Sequence, residues 1–306
     1  MKNSIGFILD TLDGQNSASP YLNDIIVPFQ KIGTGVVKIQ FSIAVSAEKK
    51  FPTIVTLKNS NEGEFFSDSS GSTSLGTSVS YTTSGQKTLY FKPYTLLGNI
   101  IFRYPEDINA LGLFSAGSFD PDNQWISNNG ILSITDFDIS QVSCLPKIEV
   151  LFLGSDQSQI GNINELSGLN NIRLIVMNAK TQFSGNTDVF KSMNLAAVKI
   201  SGLQEFDIND MPNSVYLLQI EKASSLINSG SNSSPAFTGV DYMIILGNTG
   251  VRFSTSNTDK IIIALSASLP NSISSPKTYT ISGTRSSASD SAVSTLSSKG
   301  YTISFT

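Results

Sequence analysis

The chain has 306 residues, no histidine, one cysteine (Cys144) and a formal net charge of −4, and only 14% of its residues are charged. Without histidine and with a single cysteine, no Ser-His-Asp or Cys-His nucleophile, no His/Cys zinc site and no intrachain disulfide can be assembled. The acidic balance argues against a nucleic-acid partner held through phosphates, and the lack of an 18-residue apolar run argues against a membrane-inserted helix.

Ser, Thr, Asn and Gly replace the missing charges. Ser, Thr and Asn compete with helical backbone bonding, so this composition favours strands and turns. The length predicts a large core and two domains. Residues 1–30 read as an irregular N-terminal arm, with Ile5, Phe7, Ile8 and Leu9 ahead of the turn-rich Asp13–Pro20. A first edge strand is the alternative reading. The apolar stretch is short and is cut by Asp10, so it is not expected to be a signal peptide.

Residues 31–93 read as all-β. Val36–Val45 alternates with period two across its middle. Thr53–Leu57 and Glu64–Phe66, around a turn at 59–63, read as a hairpin. Ser78–Thr82 and Lys87–Phe91, around Ser84-Gly85, read as a second. The Ser/Gly-rich stretch 67–77 reads as a loop. Five or six short strands predict a small antiparallel β-sandwich. Gly33-Thr34-Gly35 has no third glycine and no following helix, so it is a turn and not a phosphate cradle.

From residue 94 to 306 the pattern becomes an internal repeat. Val142, Leu145, Ile148, Val150 and Phe152 recur 24 residues later as Leu166, Leu169, Ile172, Leu174 and Val176. They recur after 24 more as Phe190, Met193, Ala196, Val198 and Ile200. A period of 24 lies within the range of leucine-rich repeats, in which each unit gives one short strand and neighbours stack in parallel. Further strands are predicted at Tyr216–Ile220, Tyr242–Leu246, Ile261–Leu265, Tyr279–Ile281 and Tyr301–Phe305, with Leu111–Leu113 and Leu132–Ile134 as earlier turns. A helix is predicted near the end, with Asp290 capping it, Val293 and Leu296 spaced three apart and Gly300 closing it. The fold class expected is therefore β-rich: a small antiparallel sandwich, then a leucine-rich-repeat-like solenoid with a C-terminal helix–strand cap.

If Val150, Phe152 and their equivalents point inward, the residues between them line the open face. One row is then Glu149, Arg173, Ala197, Leu217, Met243 and Ile262, and the next is Leu151, Ile175, Lys199, Gln219, Ile245 and Ala264. These rows are more apolar than a solvated face. Either a partner or the chain's own sandwich and loops cover them. The candidate interaction face is Leu151, Arg173, Ile175, Met177, Lys199, Leu217, Gln219 and Ile245. No catalytic, cofactor or metal residue is assigned. Asp120–Asn123 lacks the glycine and glutamate of an EF-hand loop. Asp136/Asp138 and Asp207/Asp210 are carboxylate pairs of the kind a glycosidase uses, and surface solvation is their commoner explanation. Trp125 reads as a capping hydrophobe and Cys144 as a small buried residue.

The organisation resembles that of surface proteins of gut Bacteroides-type bacteria and of virion proteins of the crAss-like phages that infect them. These combine a PKD-like or immunoglobulin-like sandwich, irregular leucine-rich repeats over about residues 108–306, and a finish like Asp290–Thr306: a helix, then Lys299-Gly300-Tyr301 and a strand. The repeat-type asparagine after the strand is matched by Asn178 but replaced by Ser155 and Gly202. The resemblance implies a non-enzymatic structural virion protein of a tailed phage: capsid decoration, head fibre or tail-attached component. It would be assembled in the host cytoplasm and would bind other virion proteins, copies of itself or host surface glycan, with no cofactor. A bacterial surface adhesin-like module and a phage glycan depolymerase are the alternatives.

Overall fold

The computed structural model describes residues 24–31, 34–43, 53–103, 108–112, 117–118, 126–127, 132–134, 136–153, 159–227, 240, 242–247, 252–271, 273 and 275–306. The expectations for the arm at 1–23, for Asp120–Asn123 and for Trp125 lie outside these residues. The protein is β-rich, with antiparallel sheets, a parallel sheet and a C-terminal helix.

The first half holds β1 (Ile25–Lys31), β2 (Val37–Ile43), β3 (Thr53–Leu57), β4 (Gly63–Phe66), β5 (Ser74–Gly76), β6 (Ser78–Tyr81), β7 (Gly85–Pro93), β8 (Leu97–Arg103) and β9 (Ile108–Gly112). Three short strands follow: β10 (Gly117–Ser118) and β11 (Ile126–Ser127), which pair with each other, and β12 (Leu132–Ile134). One antiparallel sheet has the order β12-β1-β8-β3-β6, and strands β9-β2-β7-β4-β5 form one end of a 14-stranded sheet. Aromatic side chains join the two layers. Phe29 meets Phe91 edge-on at 5.2 Å, and Phe41 meets Phe102 edge-on at 5.6 Å. The β1 pattern, with Ile25, Val27 and Phe29 buried, is the period-two signature of a strand with one face in this core. Gly98 lies directly opposite Phe29 on the neighbouring strand of the same sheet, and a Cβ there would sit 2.4 Å from the Phe29 ring.

Three sequence expectations change here. Residues 25–30 are not an arm, since β1 lies between β12 and β8. The two expected hairpins do not form. β3 pairs with β6 and β8, whereas β4 pairs with β5 and β7, so the turn at 59–63 crosses from one sheet to the other. β6 and β7 likewise lie in different sheets. The turn residues specify a reversal, but which face of each antiparallel sheet is buried decides the partner. Leu132–Ile134 joins the antiparallel sheet against β1 instead of beginning the repeat.

The second half continues the large sheet. Its strands are β13 (Phe137–Asp138), β14 (Val150–Phe152), β15 (Gln159–Ile160), β16 (Leu174–Phe183), β17 (Ala197–Leu203), β18 (Glu205–Asp207), β19 (Leu217–Ala223), β20 (Ser225–Ile227), β21 (Tyr242–Gly247), β22 (Lys277–Ile281) and β23 (Tyr301–Phe305). β9 is the seam, antiparallel to β2 and parallel to β14. From there the order β14-β16-β17-β19-β21-β22-β23 is parallel throughout. The antiparallel and parallel parts therefore share one sheet and one hydrophobic core.

Helix α1 (Thr255–Ser268) replaces the strand expected at Ile261–Leu265. The run of β-branched residues suggests a strand, but Ser254 caps a helix by accepting the Asn257 N–H at 3.2 Å. Thr258, Ile261, Ile262 and Leu265 then bury one helical face. Ile262 and Ala264 accordingly leave the rows predicted for the open face. Helix α2 (Asp290–Ser298) forms at the predicted place, with Ala292 and Leu296 buried and Gly300 at φ +94° closing it.

Candidate interaction face

The parallel sheet repeats by a fixed local rule. Ile148, Ile172, Leu195, Val215 and Val240 are buried, and each stands three residues before a buried strand residue: Leu151, Ile175, Val198, Leu218 and Met243. These strand residues lie side by side in register, Leu151 beside Ile175, then Val198, Leu218 and Met243. A second inward row holds Leu153, Met177, Ile200, Ile220 and Ile245. The step from the second strand to the third is one residue shorter than the 24 of the repeat, since Ile175 pairs with Val198. Leu195, 0% exposed, takes the place that a gapless period assigns to Ala196.

Because side chains alternate, this slip exchanges the two faces for the first strands, and a second shift, which pairs Ile220 with Ile245 and leaves Ile244 beside Gln219, does so for β21. Leu151, Ile175, Met177 and Ile245, all placed on the open face from the sequence, are core residues at 0% exposure. Lys199, Leu217 and Gln219 are half-buried on the open side, and Arg173 is exposed just before β16, outside the paired rows. The open face is therefore Val150, Leu174 and Leu217 along one row, with buried Ala197 between the last two, and Val176, Lys199, Gln219 and Ile244 along the next. It carries an apolar row beside a mixed one. Gln219 donates to Glu221 at 2.6 Å. Asn178 sits beside Ser201, and Ser201 beside Glu221, so Ser201 and not Gly202 is the structural equivalent of Asn178.

The opposite side of the units is built from polar caps that the sequence reading missed. Four 3₁₀ turns, at Ile139–Cys144, Ile163–Leu166, Thr187–Ser192 and Ile208–Asp210, are each preceded by an Asx residue. The side chains of Asp138, Asn162, Asn186 and Asp207 accept the N–H two residues on. Successive caps interlock: Asn164 accepts the Asn186 N–H at 2.9 Å, and Gly185 is needed because a Cβ there would sit 2.1 Å from Asn162 Oδ1. The signal was present as Asx residues recurring in step with the apolar repeat.

The flagged carboxylates fall into this scheme. Asp138 and Asp207 are caps. Asp210, 2% exposed, accepts from the Thr187 hydroxyl and pairs with Lys191 at 2.7 Å. Thr187 occupies the position that Ile139, Ile163 and Ile208 hold in the other turns, and its hydroxyl also accepts the Asp207 N–H at 3.2 Å. Asp136 pairs with Lys180 at 2.5 Å. Buried Gln159 bridges two strands, donating to Leu153 O and accepting the Asn178 N–H, both at 2.6 Å. The half-buried Cys144 thiol donates to Gln141 O at 3.0 Å and packs against the core.

No protein-family model, curated protein or solved structure matches the chain. Among the described residues no cluster of three or more acidic or cysteine side chains could hold a metal, and no helix is long and apolar enough to cross a membrane.

Proposed function

We propose that the parallel half is a leucine-rich-repeat-like solenoid and that the protein is a structural virion component of a tailed phage, acting through protein–protein contacts and not through catalysis. The observation that carries the binding role is the open face. Half-buried Val150, Leu174, Val176, Leu217 and Ile244 lie beside Lys199 and Gln219 on a run of parallel strands. Apolar area of this kind next to fixed polar groups suits a protein partner. The placement of Asp138, Asp207 and Asp210 in caps and an ion pair supports a structural role for the carboxylates. The phage assignment rests on the resemblance in organisation.

On this reading the antiparallel half anchors the protein, and the solenoid presents its face to other virion proteins, with host surface glycan as a secondary partner. Mass spectrometry of purified virions tests the assignment, and absence of the chain from intact particles overturns it. Leu217→Asp tests the face: loss of assembly with an unchanged melting temperature is expected, whereas unchanged assembly overturns the binding role. Release of reducing sugar from host polysaccharide by the purified protein, lost on Asp210→Asn, overturns the non-enzymatic reading.

A further inference from the structure

The two edges of the large sheet are finished differently. At one end β5 is three residues long, contains Gly76 at φ +80° and pairs with β4 through an irregular register. Shortness, bulges and twisted backbone are the usual protections of an exposed edge. At the other end β23 pairs with β22 over five residues without a break, from Tyr301 beside Lys277 to Phe305 beside Ile281. Its sequence, Tyr-Thr-Ile-Ser-Phe, has no proline and no charge. Among the described residues β22 is the one strand it pairs with.

The main-chain bonds show which groups face outward. Thr306 N–H donates to Ile281 O and Thr306 O accepts the Gly283 N–H, both at 3.2 Å, and Gly300 O accepts the Lys277 N–H at 3.1 Å. Even-numbered residues therefore turn their amides toward β22. In a parallel pair each such residue alternates with one whose amide groups point to the other side. The N–H and C=O of Ile303 and Phe305 thus point to the outer edge.

We infer that this edge pairs with the same strand of a second copy, antiparallel and centred on Ile303. The strand reads almost identically in both directions: aromatic, hydroxyl, isoleucine, hydroxyl, aromatic. A two-fold axis through Ile303 sets it against its copy, Thr302 against Ser304 and Tyr301 against Phe305. A two-fold interface requires that self-complementarity. The outward amides of Ile303 meet their copies as a hydrogen-bonded pair, and the aromatic cross-strand pairs add packing. Ile303 and Phe305 already pack on the core but remain half-exposed, so the copy covers apolar surface on the same face. With no charge on the strand, self-pairing brings no like-charge repulsion. The product is one sheet running through two molecules. The contact is smaller than a standard interface, so the dimer is a weak, concentration-dependent one. This inference stands apart from the virion assignment, since it uses β23 alone.

Sedimentation velocity of the 306-residue chain over a concentration series tests it. A monomer–dimer equilibrium is expected, and a monomer at every concentration up to the solubility limit overturns the inference. Ile303→Pro removes an outward N–H while the bonds to β22 remain, so a folded monomer is expected. A folded I303P variant that still dimerises like the parent overturns the inference. Should I303P fail to fold, cysteine scanning in a Cys144→Ala background decides. I303C is expected to form a disulfide-linked dimer readily, because a hydrogen-bonded antiparallel pair holds its Cα atoms about 5.5 Å apart. T302C faces Ser304 of the copy and is expected to link far more slowly. Equal or reversed rates overturn the register.

Discussion

At its antiparallel end the large sheet is assembled from strands that are neighbours in space but not in order, such as β2 against β7 and β9. At its parallel end each strand lies beside the strand of the next unit, with the same buried row passing from one to the other. The first arrangement is held by large aromatic contacts between two layers, the second by small repeated increments of aliphatic burial and polar caps. A defect in the first removes a unique contact. A defect in the second removes one copy of a contact that its neighbours also make. β9 joins the two regimes within one core, so they are expected to unfold together.

The largest expected effect separates the two faces of the parallel half. Ile175→Asp puts a carboxylate at a site of 0% exposure, flanked in register by Leu151 and Val198. Burying an unpaired charge costs several kcal/mol, so loss of the cooperative transition is expected. Leu217→Asp, on the half-buried open side, is expected to keep it. Thermal melts followed by circular dichroism check both, and equal effects would mean that the inward and outward rows are wrongly assigned.

Next comes Phe41→Ala in the antiparallel half. Phe41 is fully buried and packs edge-on against both Tyr81 and Phe102. Its truncation should cost about 3–5 kcal/mol. Calorimetry gives the sharper result. If the halves share one core, the whole transition shifts down as a single peak. A second peak left at the parent temperature breaks the claim that β9 couples them.

The contrast between the halves also explains what could be read from the sequence. The parallel half was legible because its rule is local and repeats: an apolar residue, then another three positions on, then alternation. Its face was only half legible. Lys199, Leu217 and Gln219 fall on the open side, but Leu151, Ile175 and Met177 do not, because the missing residue before Leu195 inverts their phase. Ile245 does not either, because β21 pairs Ile245 with Ile220 and leaves Ile244 beside Gln219. The antiparallel half was legible as strands and not as pairings. Turn residues at 59–63 and 84–85 mark reversals, while the choice of sheet depends on which aromatic faces meet across the core. Helix α1 was hidden by Ile261–Ile263, whose β-branched run outweighs the capping serine in a purely local reading.

A smaller effect probes the caps that tie one repeat to the next. Thr187→Val keeps the volume and deletes the hydroxyl that serves both Asp207 N–H and Asp210. A loss of about 1–3 kcal/mol is expected, the cost of leaving buried partners unmet. Urea titration measures it. The same change at an exposed threonine such as Thr295 should cost much less, and equal losses would mean that the network adds nothing.

The smallest expected effect lies in the antiparallel half and depends on pH. Asp24 is buried just before β1, its Oδ2 3.5 Å from Arg103 Nε, while its Oδ1 has no hydrogen-bond partner among the described residues. Burial raises its pKa from 3.8 to about 6, and the attraction of Arg103 offsets this only in part. With the folded value above the unfolded one, the folded state holds its proton more tightly. The stabilising contribution is complete below about pH 4 and is lost as pH rises through 6. Arg103 at the site is partly exposed, so water reaches the pair and relieves part of the burial cost, which keeps the effect to about 1 kcal/mol. Asp24→Asn removes the titration. The stability of the parent minus that of D24N should therefore fall between pH 4 and pH 7, as measured by urea titration at each pH. A difference that rises over this window would mean that the ion pair with Arg103 outweighs burial, and that β1 is held by charge and not by the apolar core around Phe29.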